Sequence, residues 1–204
     1  MPKTGIDIST EEKLKEAAKA AFTRKGYAAT KVRDIAAEAG INLALVNYYF
    51  RSKEKLFEVI MAETVQKLFE KIKPVINDEN TTIGQKLELI VDQYLEMLTQ
   101  NPDFPLFIVN ELLSGAKLLP IMTDNGKMFL NSYFVKQLVA LKMEGKIDFH
   151  PVNLMMNMLG MIVFPFLMRP VILRSGAIDN EEFKKIIIER KKLIPIWLKQ
   201  IANL

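Results

Sequence analysis

The sequence predicts an all-α fold in which a three-helix N-terminal part precedes a larger helical part. Three observations carry this expectation. Apolar residues recur at i, i+3, i+4 and i+7 in successive windows, the spacing of one helix face. No segment shows the convincing period-two alternation of a half-buried strand, and no internal repeat is visible. Glycines, prolines and polar clusters interrupt the apolar patterns at helix-length intervals.

Thr10 is placed to cap a first helix, whose apolar stripe is Leu14, Ala17, Ala18, Ala21 and Phe22, and Gly26 is placed to end it. Thr30 can cap a second helix over Val32 to Ala39, with Ile35, Ala36 and Ala39 on one face. Gly40 follows where the chain needs a positive φ, which glycine enters without steric cost. Asn42 is the N-cap of a third helix reaching Tyr48 or Tyr49, with Val46 pointing back at Ala36. A side chain as small as Ala36 lets two helices cross steeply and closely. Residues 32–46, VRDIAAEAGINLALV, thus spell a helix-turn-helix, a unit whose use is to place its second helix in the DNA major groove. Ser52 caps a long fourth helix running to about Lys73, where Pro74 is expected to stop it.

The polar run NDENTT, Asn77 to Thr82, reads as a loop and as the seam between two regions. Beyond it, helices are expected over about Ile83–Gln100, Leu106–Leu119, Met122–Glu144, Val152–Arg174 and Glu181–Ala202. Pro165, Pro170 and Pro195 fall inside these patterns and predict kinks or breaks. The domain expectation is residues 1–56 for DNA binding, helix four linking onward to about 73, and 57–204 for the rest.

Composition narrows the function classes. Half of the 204 residues are apolar, enough for a substantial core. There is no cysteine and one histidine, so disulfides, thiol catalysis and an ordinary zinc site are not expected, nor is a cofactor. No nucleophile–base spacing suggests an enzyme, and His150 reads as a turn-capping or surface residue. The net charge is +4, and its surplus sits on the helix-turn-helix and its edges. There Arg24, Lys25, Lys31, Arg33, Arg51, Lys53 and Lys55 face Asp34, Glu38 and Glu54. The polar start MPKTGIDISTEEK lacks a secretory core segment, which together with the absence of cysteine predicts a cytoplasmic protein. Leu154 to Leu173 has the length of a membrane span but carries Asn157, Pro165, Arg169 and Pro170. A helix buried in a large core or a dimer interface explains it better, and no membrane partner is expected.

With its neighbours included, the N-terminal segment resembles the TetR family of bacterial transcriptional regulators. The residues that carry the resemblance are Ala20-Ala21-Phe22, Gly26-Tyr27, Thr30, Ile35-Ala36, Ala39-Gly40, Tyr48-Tyr49-Phe50 and Ser52-Lys53-Glu54-Lys55-Leu56. They span roughly residues 10 to 60; beyond that only the helical layout and length agree. Lys31 and Asn47 depart from the commonest pattern and bear on which bases are read. The resemblance implies a homodimer with two recognition helices about one duplex turn or slightly more apart. It also implies a C-terminal domain that binds a small-molecule effector and dimerises through the last two long helices. A ligand there would change the spacing of the two heads and release double-stranded operator DNA.

The expected DNA-facing residues are Thr30, Lys31, Asn42, Leu43, Ala44, Leu45, Asn47, Tyr48, Tyr49 and Lys53. Asn47 is the best polar base reader through its amide, and Leu43 and Leu45 can meet thymine methyls. Leu45 alternatively packs against the first helix. Tyr48 and Tyr49 can reach phosphates, although one of them can instead join Phe50 in the core. Lys53 is placed as a backbone clamp, and Thr30 and Lys31 can hold the opposite phosphate wall. Eight of eleven methionines lie from Met122 onward, which suits either core filling or a pocket for apolar ligands. Phe107, Asn110, Glu111, Met128, Phe134, Asn157, Met161 and Phe164 are the candidate lining. In the last helix Phe183, Ile187, Ile194, Trp197, Leu198 and Ile201 suit a two-fold interface or a core edge equally well.

Overall fold

The structure, a computed structural model, describes residues 4–113 and 119–204, with side chains at 10–110 and 123–204. Every regular element among these residues is a helix. In chain order they are α1 (Thr4–Lys25), α2 (Val32–Ala39), α3 (Leu43–Phe50), α4 (Lys53–Asn77) and α5 (Ile83–Gln100). Then come α6 (Phe104–Leu113), α7 (Leu119–Leu130), α8 (Tyr133–Met143), α9 (Pro151–Arg174) and α10 (Asn180–Ile201).

The chain divides into two compact units. The first holds residues 1–65 together with the corner 100–104, and the second holds 66–99 and 105–204. In the first unit the predicted stripe of α1 is buried: Leu14, Ala18 and Ala21 are fully enclosed, with Ala17 and Phe22 beside them. Ile35 and Ala36 of α2, Val46 and Phe50 of α3, and Leu56, Phe57 and Ile60 of α4 complete this core. Gly40 has φ 63° and ψ 30°, the left-handed conformation its position required. There the Ile41 N–H bonds the Ala36 carbonyl at 3.0 Å and the Gly40 N–H bonds that of Ala37 at 3.2 Å. This pair of bonds closes the last turn of α2 and aims the chain into α3.

Several boundaries differ from the sequence expectation. Helix α1 begins at Thr4, so Thr10 lies inside it. A hydroxyl residue costs a helix interior only a fraction of a kcal/mol, too little to stop it. Pro74 lies inside the last turn of α4, which runs on to Asn77. The Asn77 side-chain amide donates to the Lys73 carbonyl at 2.9 Å, securing an end that proline would otherwise fray. The single helix expected over 122–144 is two, because Ser132, almost fully buried, caps α8 by accepting the Val135 N–H. The run 77–82 is no seam but a turn inside the second unit. There the fully buried Lys86 donates to the Asp78 carbonyl at 2.6 Å and to the Thr81 carbonyl and hydroxyl at 2.7 Å. All three ammonium protons are thereby used, which is the condition for keeping a buried cation. Burial holds its pKa below the ordinary lysine value.

The second unit's core is lined by Leu87, Ile90, Val91, Leu95 and Leu98 of α5, Phe134 and Leu138 of α8, and the inward faces of α9 and α10. Helix α9 is long and apolar enough to cross a membrane by length and composition. It buries the stripe Leu154, Met158, Ile162 and Phe166, at four-residue steps, and packs against α8 and α10. Pro165 and Pro195 are carried inside continuous helices, with no break. Pro165 has no N–H for the Met161 carbonyl, and Arg190 of α10 supplies the missing donor, Nη2 to oxygen 2.8 Å.

Candidate nucleic-acid interface

Helix α3 is two turns long and anchored by one side. Val46 and Phe50, four residues apart, are 3% and 6% exposed and hold it against the first unit's core. The opposite face is open: Asn42, Leu43, Ala44, Leu45, Asn47 and Tyr48 are all exposed. Leu45 is 42% exposed, which resolves its two readings in favour of the outward one. Tyr48, at 78% exposure, projects from the end of α3, while Tyr49 is half-buried and packs its ring 6.3 Å from Phe50. The Asn42 side chain accepts the Ala44 N–H at 2.9 Å, so it caps α3 and holds its first turn.

Two residues placed at the phosphates by sequence take different positions. Thr30 is 1% exposed, and its hydroxyl donates to the carbonyls of Gly26 at 2.8 Å and Ala21 at 3.3 Å. It ties the end of α1 to the start of α2 and cannot reach a phosphate, a correction that follows from its complete burial. The N-cap of α2 is Lys31, not Thr30; its N–H is accepted by the Asp34 carboxylate at 3.1 Å. Lys53 is half-buried, its ammonium donating to the carbonyls of Tyr27 at 3.0 Å and Thr30 at 3.1 Å. It also stands 4.1 Å from the centre of the Tyr27 ring. With two of three protons committed, Lys53 is first an internal bracket and has one proton left for an outside acceptor.

The acidic residues of the segment are absorbed locally. Glu38 pairs with Arg24 at 2.7 Å and Asp34 lies 3.4 Å from Lys25. The Arg24 guanidinium holds the Glu38 carboxyl below its ordinary range, and the Lys31 N–H does the same for Asp34. Lys31, Arg33 and Arg51, all exposed, remain around α3 as net positive charge. Arg51 sits at φ 62° and ψ −38°, between α3 and α4, and the Ser52 N–H bonds the Phe50 carbonyl across it at 2.7 Å. This is a strained three-residue turn for a side-chain-bearing residue.

Two positions that hold this segment together are not among the DNA-facing residues expected from sequence. Tyr27 sits at the centre of the bracket, its ring 4.4 Å from Phe57 and its hydroxyl donating to Glu54 at 3.1 Å. Burial and the Glu54 carboxylate push its phenol up to about 12. Asp103, on the corner 100–104, accepts the Tyr27 N–H at 2.6 Å. The motif Gly26-Tyr27 carried a hint of the first; nothing local announces a partner 76 positions away.

The candidate effector residues of the second unit differ in burial. Phe134 is fully buried, edge-to-face with Phe129 at 5.9 Å, and Phe107 is buried in α6, so both are core. Met128 and Met161 are half-buried. Asn110, Asn157 and Phe164 are exposed, Phe164 by 60%, because they lie away from the buried stripes of α6 and α9. The side chain of Glu111 lies outside the described residues.

The pattern described as bacterial regulatory proteins of the tetR family matches residues 14–60, which hold α1 from Leu14 through the first turns of α4. YttP of Bacillus subtilis (strain 168), named a probable HTH-type transcriptional regulator, is 23% identical over 203 residues, 96% of this chain and 95% of that one. The likeness to the TetR family is carried by residues 14–60. The chain has an N-terminal helix-turn-helix and a larger helical C-terminal part, the layout of its structural relatives. The HTH-type regulator BetI of Yersinia pestis is 33% identical over 73 residues, 36% of this chain and 37% of BetI. Among solved structures, a TetR/AcrR-family regulator from Thermobifida fusca aligns with a TM-score of 0.59 at 18% identity, covering 91% of this chain and 96% of its own. The fatty acid degradation regulator FadR of Bacillus halodurans aligns at 0.54 and 19% identity, covering 90% and 97%. These two likenesses are likenesses of fold.

Proposed function

We propose that this protein is a TetR-family repressor that binds a two-fold operator as a homodimer and is released by a small, largely apolar molecule. The observation that supports it best is the open face of α3. Five of its eight residues, Leu43, Ala44, Leu45, Asn47 and Tyr48, are exposed on a helix that its other face holds rigidly. A short helix anchored in this way can enter a major groove with its apolar groups toward thymine methyls and Asn47 toward a base edge. Lys31, Arg33, Arg51, Tyr48 and the free proton of Lys53 then lie toward phosphates.

A homodimer is supported by the outer faces of the last two helices. On α9, Met156, Phe164 and Val171 are 64%, 60% and 58% exposed, with the open Gly160 between them. On α10, Ile186 and Ile201 flank half-buried Leu193 and Trp197 on one stripe. Rows of this kind need a partner, and a second copy meets the symmetry of a two-fold operator. Ile187 and Ile194, which sequence offered to the interface, are 4% and 0% exposed and belong to the subunit core. The methionines of the second unit, flexible and polarisable, suit an apolar effector. The reading places the protein in the cytoplasm, with no cofactor and no membrane partner.

Sedimentation and DNA titration test the proposal together. A dimer at micromolar concentration that binds one duplex per dimer supports it. A monomer that binds a two-fold duplex tightly contradicts the dimer, and an absence of sequence preference contradicts the operator.

A further inference from the structure

The corner between α5 and α6 belongs to the DNA-binding unit, although the remainder of both helices belongs to the second unit. The chain therefore passes between the units at three places: within α4, at the end of α5 and at the start of α6. The corner is fastened to the head by three different means. The Thr23 hydroxyl donates to the Gln100 carbonyl. Phe104 is 4% exposed, and Pro102 is buried. Asp103 Oδ2 accepts the Tyr27 N–H at 2.6 Å, a bond to an ionised acceptor and so stronger than a neutral one.

What Asp103 grips is the residue on which the head's bracket is built. The Tyr27 carbonyl and ring both receive the Lys53 ammonium, at 3.0 Å and 4.1 Å. Lys53 reaches on to the Thr30 carbonyl at 3.1 Å, and the Tyr27 hydroxyl reaches Glu54. The bracket thus joins the end of α1 to both the start of α2 and the start of α4. Helices α2 and α3 are suspended between those points, so the orientation of α3 depends on the bracket keeping its dimensions.

We infer that Asp103 is a positioning residue for DNA binding: its carboxylate fixes Tyr27, and through Tyr27 it fixes Lys53 and the seat of the recognition helix. It touches no nucleic acid itself. Gly26, at φ 79°, turns the chain so that the next N–H points at the carboxylate rather than continuing α1. The inference rests on the DNA-binding reading, which titration of the wild-type protein tests on its own.

The probe is a duplex selected from a random-sequence library by the wild-type protein. Asp103→Ala is expected to weaken binding to it on the order of tenfold, the worth of a hydrogen bond to a charged group. Asp103→Asn, whose amide oxygen still accepts, should recover most of that loss. Because Asp103 acts through Lys53, adding Asp103→Ala to Lys53→Met should cost little more than Lys53→Met alone. In the spectrum of 15N-labelled protein, the Tyr27 amide should shift upfield and exchange faster in Asp103→Ala, and by less in Asp103→Asn. If Asp103→Ala does not fold, Asp103→Asn alone decides, by a few-fold loss of affinity accompanied by faster Tyr27 exchange. Wild-type affinity in a folded variant whose Tyr27 amide has shifted would overturn the inference. So would losses that add fully with Lys53→Met, or an Asp103→Asn protein as weak as Asp103→Ala.

Discussion

Replacing Arg190 by Leu isolates one interaction that the second unit depends on. Pro165 leaves the Met161 carbonyl without its helical donor, and Arg190 Nη2 takes that place at 2.8 Å. Removing the guanidinium leaves this part-buried carbonyl unpaired, which costs about 1–3 kcal/mol. Part is returned, because burial already holds the Arg190 pKa below its ordinary value and its Nε is enclosed without a partner among the described residues. The net loss expected is about 1–2 kcal/mol, a tenfold or somewhat larger shift of the unfolding equilibrium. The decisive comparison is made in a Pro165→Ala background, where the substituted alanine supplies its own N–H to the Met161 carbonyl. That substitution alone should stabilise, by no more than the roughly 3 kcal/mol that separates proline from alanine in a helix interior. Arg190→Leu should then cost less than about 0.5 kcal/mol, a coupling on the order of 1 kcal/mol. Urea unfolding followed by tryptophan fluorescence reads this directly, since Trp197 is the only tryptophan and the Arg190 guanidinium lies 5.6 Å from its ring. An equal cost of Arg190→Leu in both backgrounds would refute the reasoning.

Four further outcomes follow from other parts of the molecule. A Cβ at Gly40 would meet no atom within 4 Å, so Gly40→Val should cost only backbone strain at φ 63°. That strain is roughly 1–2 kcal/mol or slightly more, with operator affinity falling in parallel; Gly40→Asn, which tolerates this conformation, should retain both. Asn47→Ala should cost about 1–3 kcal/mol on a selected duplex and little on a random one, as competition binding would reveal. Phe164→Asp should dissociate the dimer in sedimentation without lowering the helix content measured by circular dichroism; an intact dimer would move the interface off the outer face of α9. Burial raises the phenols of Tyr27 and Tyr94 to about 12 from an ordinary 10. Because the folded state favours their protonated forms, this stability is complete below pH about 10 and is lost as pH rises toward 12. Tyr27→Phe should flatten the alkaline limb of a urea-midpoint profile, and an unchanged limb would remove Tyr27 from the account.

Local signals in the sequence were reliable where the physics is local. The α1 stripe, the Gly40 turn, the Asn42 cap and the bounds of α5 depend on residues within one or two turns of each other. At Thr30, Lys53 and Lys86 a partner from another turn or element decides instead. Thr30 looked like an exposed cap until the Ala21 and Gly26 carbonyls claimed its hydroxyl. Lys53 looked like a free clamp because its spacing does not reveal Tyr27 folding over it. Lys86 lies in an apolar stripe of α5, the one sign that it is buried, but only the returning turn at 78–81 explains how. Phe164 and Phe166 are alike in composition and two positions apart, yet one is exposed and the other is core. Their assignment needed the phase of α9 against α8 and α10, which a helix apolar all round does not encode.

The most direct test of the central claim is capture of genomic fragments by the purified protein, followed by titration of the best fragment at several salt concentrations. Binding through the exposed face of α3 in a dimer predicts an inverted repeat with half-sites about one helical turn apart or slightly more. It also predicts a logarithmic affinity–salt slope of several units, from the phosphates neutralised by two heads. Fragments that share no repeat, or an affinity nearly indifferent to salt, would contradict it.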